Sequence, residues 1–361
     1  VPKSKKGNII MARTAEITFK EFRRRYNTED ACRAELFRLR FPNGFVCPKC
    51  GCVEYYPVHG RNIYQCRSCR HQTSVTAGTV MHRTHLPLTL WFWAIYLCAT
   101  DKRGISAVQL SRTLGICYDS AWHLLDRIRT AMGQRDEKYL LSGIVELDDG
   151  YVGGPSHNGK RGRGTDKAKI VVAVSKTANS APLFARMKVV DNVQGKTLQE
   201  IIDQYFVPKT KVECDGYRSY LNLEGVELNT KKYETDDLHW VHKAISNLKA
   251  FLQGTYHGRC TKLQAYLDEY CFRFNRRMTG NQIFLRLTRA VATSCSVLIK
   301  SISIIFKIVW VFPVPGGPWI MLIFEESARS TASFDFDSGQ TDRSQLPACK
   351  VLRFLAAAQD S

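Results

Sequence analysis

Two short apolar segments of the sequence, one before Asp148 and one before Asp215, end in acidic residues. Alternate residues of a strand share a face, so Asp148 is expected to project with Glu146, and Asp215 with Glu213. Carboxylates at adjacent strand ends can hold two Mg²⁺ or Mn²⁺ ions about 3.5–4 Å apart. Such a pair of ions clamps the attacking and leaving oxygens of phosphodiester chemistry. The pattern therefore predicts a catalytic metal site for reactions at phosphate.

The segment after Trp240 is predicted to be a helix that adds further polar groups to this site. His242 and Lys249 are seven residues apart in the sequence, which is about two helical turns, so they share one face. His242 can bind a metal ion through a ring nitrogen, although imidazole favours softer ions than Mg²⁺. Asn247 is the alternative third ligand, because its carbonyl oxygen suits a hard cation.

Cysteines form the second chemical pattern of the chain. Cys47 and Cys50 form one Cys-x-x-Cys pair, Cys66 and Cys69 form another, and fifteen residues separate the pairs. Each pair is a tight turn that aims two thiolates at one point, and two such turns complete the tetrahedral sulfur site of structural zinc. Cys52 lies close by, but its spacing from Cys50 fits such a turn less well. The sequence predicts a zinc ribbon with a structural Zn²⁺.

A helical module is predicted between the two sites, over residues 83–140. A bulky apolar run follows Leu86, with a proline at an early helical position. Ser106 suits an N-cap, and Gly115 suits the turn between two short helices. This is the outline of a helix-turn-helix whose second helix, residues 119–130, would recognise DNA. A plain helical hairpin would give the same pattern.

The order of the remaining elements indicates how the acidic residues are positioned. Strands are predicted at 143–149, 169–175 and 183–190, followed by a helix at 197–206 and a strand that ends at Asp215. This order matches the opening of an RNase H-like sheet, in which the first and fourth strands are neighbours. The fold class is therefore α+β or α/β, with a ribbon and a helical module in front of a mixed catalytic sheet.

The charge of the chain indicates a polyanionic partner. Lys and Arg number 52 against 33 Asp and Glu, which gives a formal net charge of +19. Such a surface binds nucleic acid through neutralised phosphates and released counterions. A loop with four basic residues is predicted to grip the DNA backbone, and a merely solvated loop is the alternative. These residues are Lys160, Arg161, Arg163 and Lys167.

The 13 cysteines, an odd number in a chain of 361 residues, favour a reducing compartment over a secreted disulfide framework. The first residues are basic and polar, and they do not form a signal peptide. We therefore expect a cytoplasmic protein associated with the prokaryotic nucleoid. The apolar run at residues 296–324 contains lysines and a Pro-Gly cluster, so a membrane helix is not the preferred interpretation.

Taken together, the motifs resemble those of the zinc-ribbon insertion-sequence transposases, called ISXO-like, over roughly residues 20–294. Besides the cysteine pairs, the resemblance rests on Thr79-Val-Met81, Gly104-Ile-Ser-Ala, Ala121-Trp122, Glu146-Leu-Asp-Asp-Gly-Tyr-Val-Gly-Gly154, Asp215-Gly-Tyr217, Lys249, Gly254-Thr-Tyr-His257 and the run from Tyr266 to Arg277. We divide the chain into a helix and ribbon (15–82), a helical module (83–140), an RNase H-like DDE catalytic domain (141–294) and a tail (295–361) that is unlike the family and is expected to be disordered from its composition.

The resemblance implies an activity and roles for particular residues. Members of the family nick terminal inverted repeats and join the freed 3′ hydroxyl to double-stranded target DNA, and synapsis of two ends implies a homo-oligomer. Asp148 and Asp215 would be metal ligands, with Asp149 as a register alternative. His242 would replace the usual third Glu as a catalytic ligand of Mg²⁺ or Mn²⁺, and Lys249 would contact DNA. A zinc-ribbon regulator, a nuclease without joining activity and a degenerate transposase remnant are the rival interpretations.

Overall fold

The computed structural model describes seven stretches of the chain, and all structural statements concern them alone. They are residues 17–58, 60–154, 165–231, 238–257, 261–295, 306–311 and 320–325. Contacts divide the chain into two units, Val1–Val297 and Leu298–Ser361, and each is described by itself.

Two helices and a small sheet open the first unit. Helices α1 and α2 span Phe19–Arg25 and Glu29–Arg40. The strands β1, β2 and β3 form an antiparallel sheet in that order and span Tyr55–Val58, Ile63–Cys66 and Gln72–Thr73. One helical segment is predicted for this stretch, whereas two are found. The second begins where the Thr28 hydroxyl accepts a hydrogen bond from the backbone N–H of Ala31, at 3.2 Å.

Three helices form the module that follows. They are α3 at Leu88–Thr100, α4 at Ala107–Leu114 and α5 at Tyr118–Asp136. The Ser106 hydroxyl accepts a hydrogen bond from the Gln109 N–H at 3.2 Å and caps α4. Gly115 ends α4 with a φ of 65°, a left-handed conformation that glycine adopts without strain. Both residues therefore have the local structure that the sequence predicts for them.

A five-stranded mixed sheet forms the centre of the remaining part of this unit. Its strands are β4 (Ile144–Val152), β5 (Ala168–Lys176), β6 (Pro182–Val190), β7 (Lys211–Asp215) and β8 (Glu227–Lys231). Their spatial order is β6-β5-β4-β7-β8. The first three strands pair antiparallel, whereas β4 pairs in parallel with β7, and β7 with β8. This RNase H-like arrangement confirms the predicted fold class and the predicted contact between the first and fourth strands.

Helices cover both faces of this sheet. Helix α6 (Gly195–Tyr205) packs on one face, and α7 (His239–Tyr256) and α8 (Leu263–Asn275) pack on the other. Helix α9 (Ile283–Thr293) returns to the core of the helical module. The β4 residues Val145 and Leu147 are buried with α6, so the intervening residues of the strand face α7.

The second unit contains an antiparallel pair of strands, β9 (Phe306–Val311) and β10 (Ile320–Glu325). The sequence predicts disorder in this tail, and for these two segments the structure has strands instead. A run of apolar and β-branched residues favours pairing of this kind. The rest of the tail lies outside the described residues. Among the described helices, none combines the length and apolar character that crossing a bilayer requires.

Candidate active site and zinc centre

Asp148 and Asp215 lie side by side on neighbouring strands of the central sheet. In the parallel ladder of β4 and β7, Leu147 pairs with Cys214, and each of these two residues directly precedes one aspartate. Both aspartates are partly buried. The Asp149 N–H donates to Asp148 Oδ1 at 2.8 Å, and the Tyr217 N–H donates to Asp215 Oδ1 at 3.2 Å. Sheet topology therefore brings together two acids that are distant in the sequence.

The electrostatic environment of Asp148 favours a bound cation. Burial raises the pKa of its carboxyl to about 6, and the negative charges of Asp149 and Asp215 act in the same direction. The Asp149 N–H and the nearby His242 oppose this effect without cancelling it. A carboxylate that is destabilised by burial and by neighbouring negative charges is stabilised by a nearby cation.

His242 reaches this site from the first turn of α7. Its Nε2 lies 3.4 Å from Asp148 Oδ2, and the His242 side chain is 54% exposed. Asn247, the alternative third ligand, forms a hydrogen bond with Tyr270 and lines a separate cleft between helices. The structure therefore brings His242, rather than Asn247, next to Asp148.

Asp149, the register alternative, points away from His242. The Tyr220 hydroxyl donates a hydrogen bond to Asp149 Oδ1 at 3.3 Å, and Tyr220 is fully buried on the α6 face of the sheet. Asp148 belongs to the opposite face with Gly150, where an added Cβ would meet Ile245 of α7 at 3.3 Å. The face of β4 that meets α7 thus carries Asp148.

Asp148, Asp215 and His242 offer two carboxylates and one imidazole as possible metal ligands. Within the stretches that the structure describes, only the cysteine cluster brings three or more possible ligand atoms within 4.8 Å of one another. Asp148, Asp215 and His242 are spread more widely. Carboxylate oxygens are donors that Mg²⁺ and Mn²⁺ accept, and Mn²⁺ tolerates the imidazole better.

The predicted DNA-contacting residues are placed only in part. Lys249 is exposed on α7, and Lys167 is partly buried just before β5. Lys160, Arg161 and Arg163 lie outside the described residues. Their contacts with DNA stay predictions.

A second row of charged residues lies on the same face of the sheet as the aspartates, next to them in the strands. Lys176 Nζ lies 2.9 Å from Glu146 Oε1 and 2.6 Å from Glu213 Oε2. Glu146 Oε2 accepts hydrogen bonds from the backbone N–H groups of Trp240, at 2.7 Å, and Val241, at 3.0 Å. The alternation of the strands shows that the two glutamates share this face, but no sequence spacing indicates Lys176 as their partner.

The four predicted zinc ligands form one cluster. Cys47 Sγ and Cys69 Sγ are 3.6 Å apart, as are Cys50 Sγ and Cys66 Sγ. All four sulfur atoms lie within 4.8 Å of one another. Tetrahedral Zn–S bonds of about 2.3 Å require sulfur atoms about 3.8 Å apart, so the cluster fits structural zinc. Cys52 is not part of this cluster, and its Sγ lies 3.9 Å from the Glu54 carbonyl oxygen.

The backbone of the ribbon favours the thiolate form of Cys66. Hydrogen bonding from the Cys69 backbone, above all, lowers the pKa of Cys66 to about 6. Thiolates, not thiols, are the zinc-binding form, so a thiol with a lowered pKa binds the ion at neutral pH with less competition from protons.

Two family models match parts of this chain. A family model of the ISXO2-like transposase domain matches residues 140–275, and one of the transposase zinc-ribbon domain matches residues 27–72. A comparison with curated proteins gives no match. Among solved structures, a Mos1 transposase paired-end complex with left transposon end is similar over 57% of this chain and 80% of that chain, with 9% identity and a TM-score of 0.18. By these two matches, the chain carries a transposase zinc-ribbon domain followed by an ISXO2-like transposase domain.

Proposed function

We propose that the chain is a DNA transposase that binds the terminal inverted repeats of an insertion sequence, cleaves a strand at each end and joins the freed 3′ hydroxyl to target DNA. The observation that carries the proposal is the placement of Asp148 and Asp215 on paired strands with His242 beside Asp148. Two acids and a third ligand around one sheet edge are what phosphodiester cleavage with metal ions requires.

Each residue of the site has a role in this proposal. Asp148, Asp215 and His242 would hold the metal ions through two carboxylates and one imidazole, and His242 Nε2 lies 3.4 Å from Asp148 Oδ2. Bound Mg²⁺ or Mn²⁺ would stabilise the charge that develops on the attacking and leaving oxygens. The exposed Lys249, on the same helix as His242, holds a DNA phosphate so that the scissile bond stays at the carboxylates.

DNA recognition is assigned to the helical module and the ribbon. The first two turns of α5 present Tyr118, which is 51% exposed, together with the exposed Asp119 and His123. The start of a recognition helix is the part that reads base edges in the major groove. Simultaneous binding of two inverted repeats requires two copies of the chain, so the active form is a homo-oligomer on DNA.

The proposal is tested by strand transfer in vitro. The full chain is incubated with Mg²⁺ or Mn²⁺ and DNA that ends in the element's own repeats, and joined products are separated by size. Asp148→Ala and Asp215→Ala are expected to abolish joining and retain repeat binding. Glu200→Ala, an exposed acid on α6, is the matched control and should leave joining intact.

One other function has a specific observation in its favour. The third position holds His242 instead of an acid, which is compatible with a DNA-binding regulator or a transposase remnant without activity. Repeat-specific binding with no cleavage in either metal would support that alternative and overturn the proposal. Cleaved ends without joined products would indicate a nuclease.

A further inference from the structure

The helix that carries His242 is capped by a residue of the catalytic sheet. Leu238 precedes α7 as its N-cap residue and provides no side-chain hydrogen bond. Glu146 of β4 takes this place, because its Oε2 accepts from the N–H groups of Trp240 at 2.7 Å and Val241 at 3.0 Å. A carboxylate at a helix N-terminus satisfies free N–H groups and complements the helix dipole. The first turn of α7 is therefore tied to one strand residue.

Both carboxylate oxygens of Glu146 have partners. Oε1 accepts from Lys176 Nζ at 2.9 Å, and the same ammonium group reaches Glu213 Oε2 at 2.6 Å. The side chains of Glu146, Lys176 and Glu213 are only 1%, 10% and 13% exposed. A buried ion needs such compensation, and this network supplies it from three adjacent strands.

The sequence positions of these contacts connect the network to the active site. Glu146 is two residues before Asp148 on the same strand face, and Val241 directly precedes His242. Glu146 therefore joins the strand that carries the aspartate to the helix turn that carries the histidine. His242 Nε2 and Asp148 Oδ2, which are 3.4 Å apart, therefore belong to residues close to the contact between Glu146 and α7.

We propose that Glu146 is a positioning residue of the active site, which holds the first turn of α7 against β4 so that His242 faces Asp148. Lys176 supports it by balancing the charge of Glu146 and Glu213. The proposal rests on the proposed function in one respect, namely that His242 and Asp148 bind a metal ion. Mutation of residues that orient metal ligands in this way commonly weakens metal affinity by about 10- to 100-fold.

The first test measures the position of the helix without metal or activity. Glu146→Gln has one acceptor oxygen where the carboxylate has two, so either the helix N–H groups or Lys176 lose their partner. We expect amide hydrogen exchange in residues 238–245 to accelerate at least about tenfold. Glu227→Gln on β8 is the matched control, because Glu227 is exposed on the same sheet. Unchanged exchange at α7 in Glu146→Gln would overturn the proposal.

The second test is a double-mutant cycle of Mn²⁺ affinity. Electron paramagnetic resonance on the full chain measures the affinity of each variant. Glu146→Gln and His242→Ala are each expected to weaken Mn²⁺ binding about tenfold, and the double variant should bind no more weakly than either. A residue that merely stabilised the fold would give additive losses, and additivity would therefore overturn the proposal. Wild-type protein that binds no Mn²⁺ in an Asp148-dependent manner would contradict the proposed metal site, and hydrogen exchange would still decide whether Glu146 holds α7.

Discussion

The zinc ribbon and the acidic site are both arrangements of ligands, but they are assembled in opposite ways. All four cysteines lie within residues 47–69, on two local turns, and their sulfur atoms lie within 4.8 Å of one another. The acidic site draws Asp148, Asp215 and His242 from two strands and a helix. The zinc site is determined by the spacing of nearby cysteines, whereas the acidic site depends on the whole sheet and on the residues that hold α7.

The largest loss of stability is expected when a ligand of the zinc site is removed. The core of the ribbon consists mainly of Phe45, Cys47 and Cys66, with a few partly buried aromatic residues around it. We expect that so small a core does not hold a fold without metal, since structural zinc contributes roughly 10–16 kcal/mol of apparent binding free energy in zinc-finger peptides. Cys66→Ser should therefore unfold residues 45–73, as measured by hydrogen exchange, and should release zinc.

The matched control for this prediction is Cys52→Ser. Cys52 lies two residues after the predicted ligand Cys50 but outside the sulfur cluster, so its substitution should leave zinc content and exchange unchanged. An equal loss in both variants would show that Cys52 is a ligand and that the assignment of the cluster is wrong.

The next largest effect is expected in the network beside the acidic site. Lys176→Met leaves Glu146 and Glu213 as buried carboxylates without their cation. Removal of one partner of a buried ion pair costs about 3–5 kcal/mol. We expect the free energy of unfolding to fall by about 3 kcal/mol in urea denaturation. Lys211→Met, an exposed lysine of the same sheet, should change it by less than about 0.5 kcal/mol.

The two sites also differ in how much of their structure can be predicted from the sequence. The zinc cluster follows from two spacings alone, because a Cys-x-x-Cys turn fixes its own geometry. The adjacency of Asp148 and Asp215 follows from the order of strands and helix, since that order specifies which strands are neighbours. Both the Ser106 cap and the Gly115 turn are also local signals, and the structure confirms them.

Contacts between distant elements are what the sequence does not predict. Glu146 and Lys176 meet because β4 and β5 pair in one register, and Trp240 joins them only through the docking of α7. The N-terminus of α3 is capped in the same way, by Glu29 of α2, whose carboxylate accepts from the Thr89 N–H at 2.8 Å. Such caps come from tertiary structure, so no pattern of neighbouring residues indicates them.

A smaller effect on the free energy of unfolding is expected for substitution of Asp148 in the absence of metal. The pKa of Asp148 is raised from 3.8 to about 6, so the folded state holds its proton more tightly than the unfolded state. Stability from this group is therefore complete below pH 4 and is lost as the pH rises through about 6. Asp148→Asn should be more stable than the wild type at pH 7.5 in EDTA, by about 1–3 kcal/mol.

Two further measurements sharpen this prediction. The stability difference between Asp148→Asn and the wild type should shrink as the pH falls from 7.5 to 4, because both side chains are then neutral. Excess Mn²⁺ should stabilise the wild type but not the variant. A variant that is less stable than the wild type at pH 7.5 in EDTA would show that the charge of Asp148 is already compensated without metal.

The smallest effect is expected where the sequence left two candidates for the third ligand. His242→Glu places a hard oxygen donor next to Asp148, so Mg²⁺ affinity should rise about tenfold, which corresponds to about 1.4 kcal/mol. The preference for Mn²⁺ over Mg²⁺ should fall, because the imidazole that favours Mn²⁺ is gone. Asn247→Glu is the matched control on the same helix and should not change Mg²⁺ affinity, since Asn247 contacts Tyr270 instead. Thermal shifts with titrated Mg²⁺ measure both variants. A gain in Asn247→Glu alone would assign the third position to Asn247 and would contradict the placement of His242 in the site.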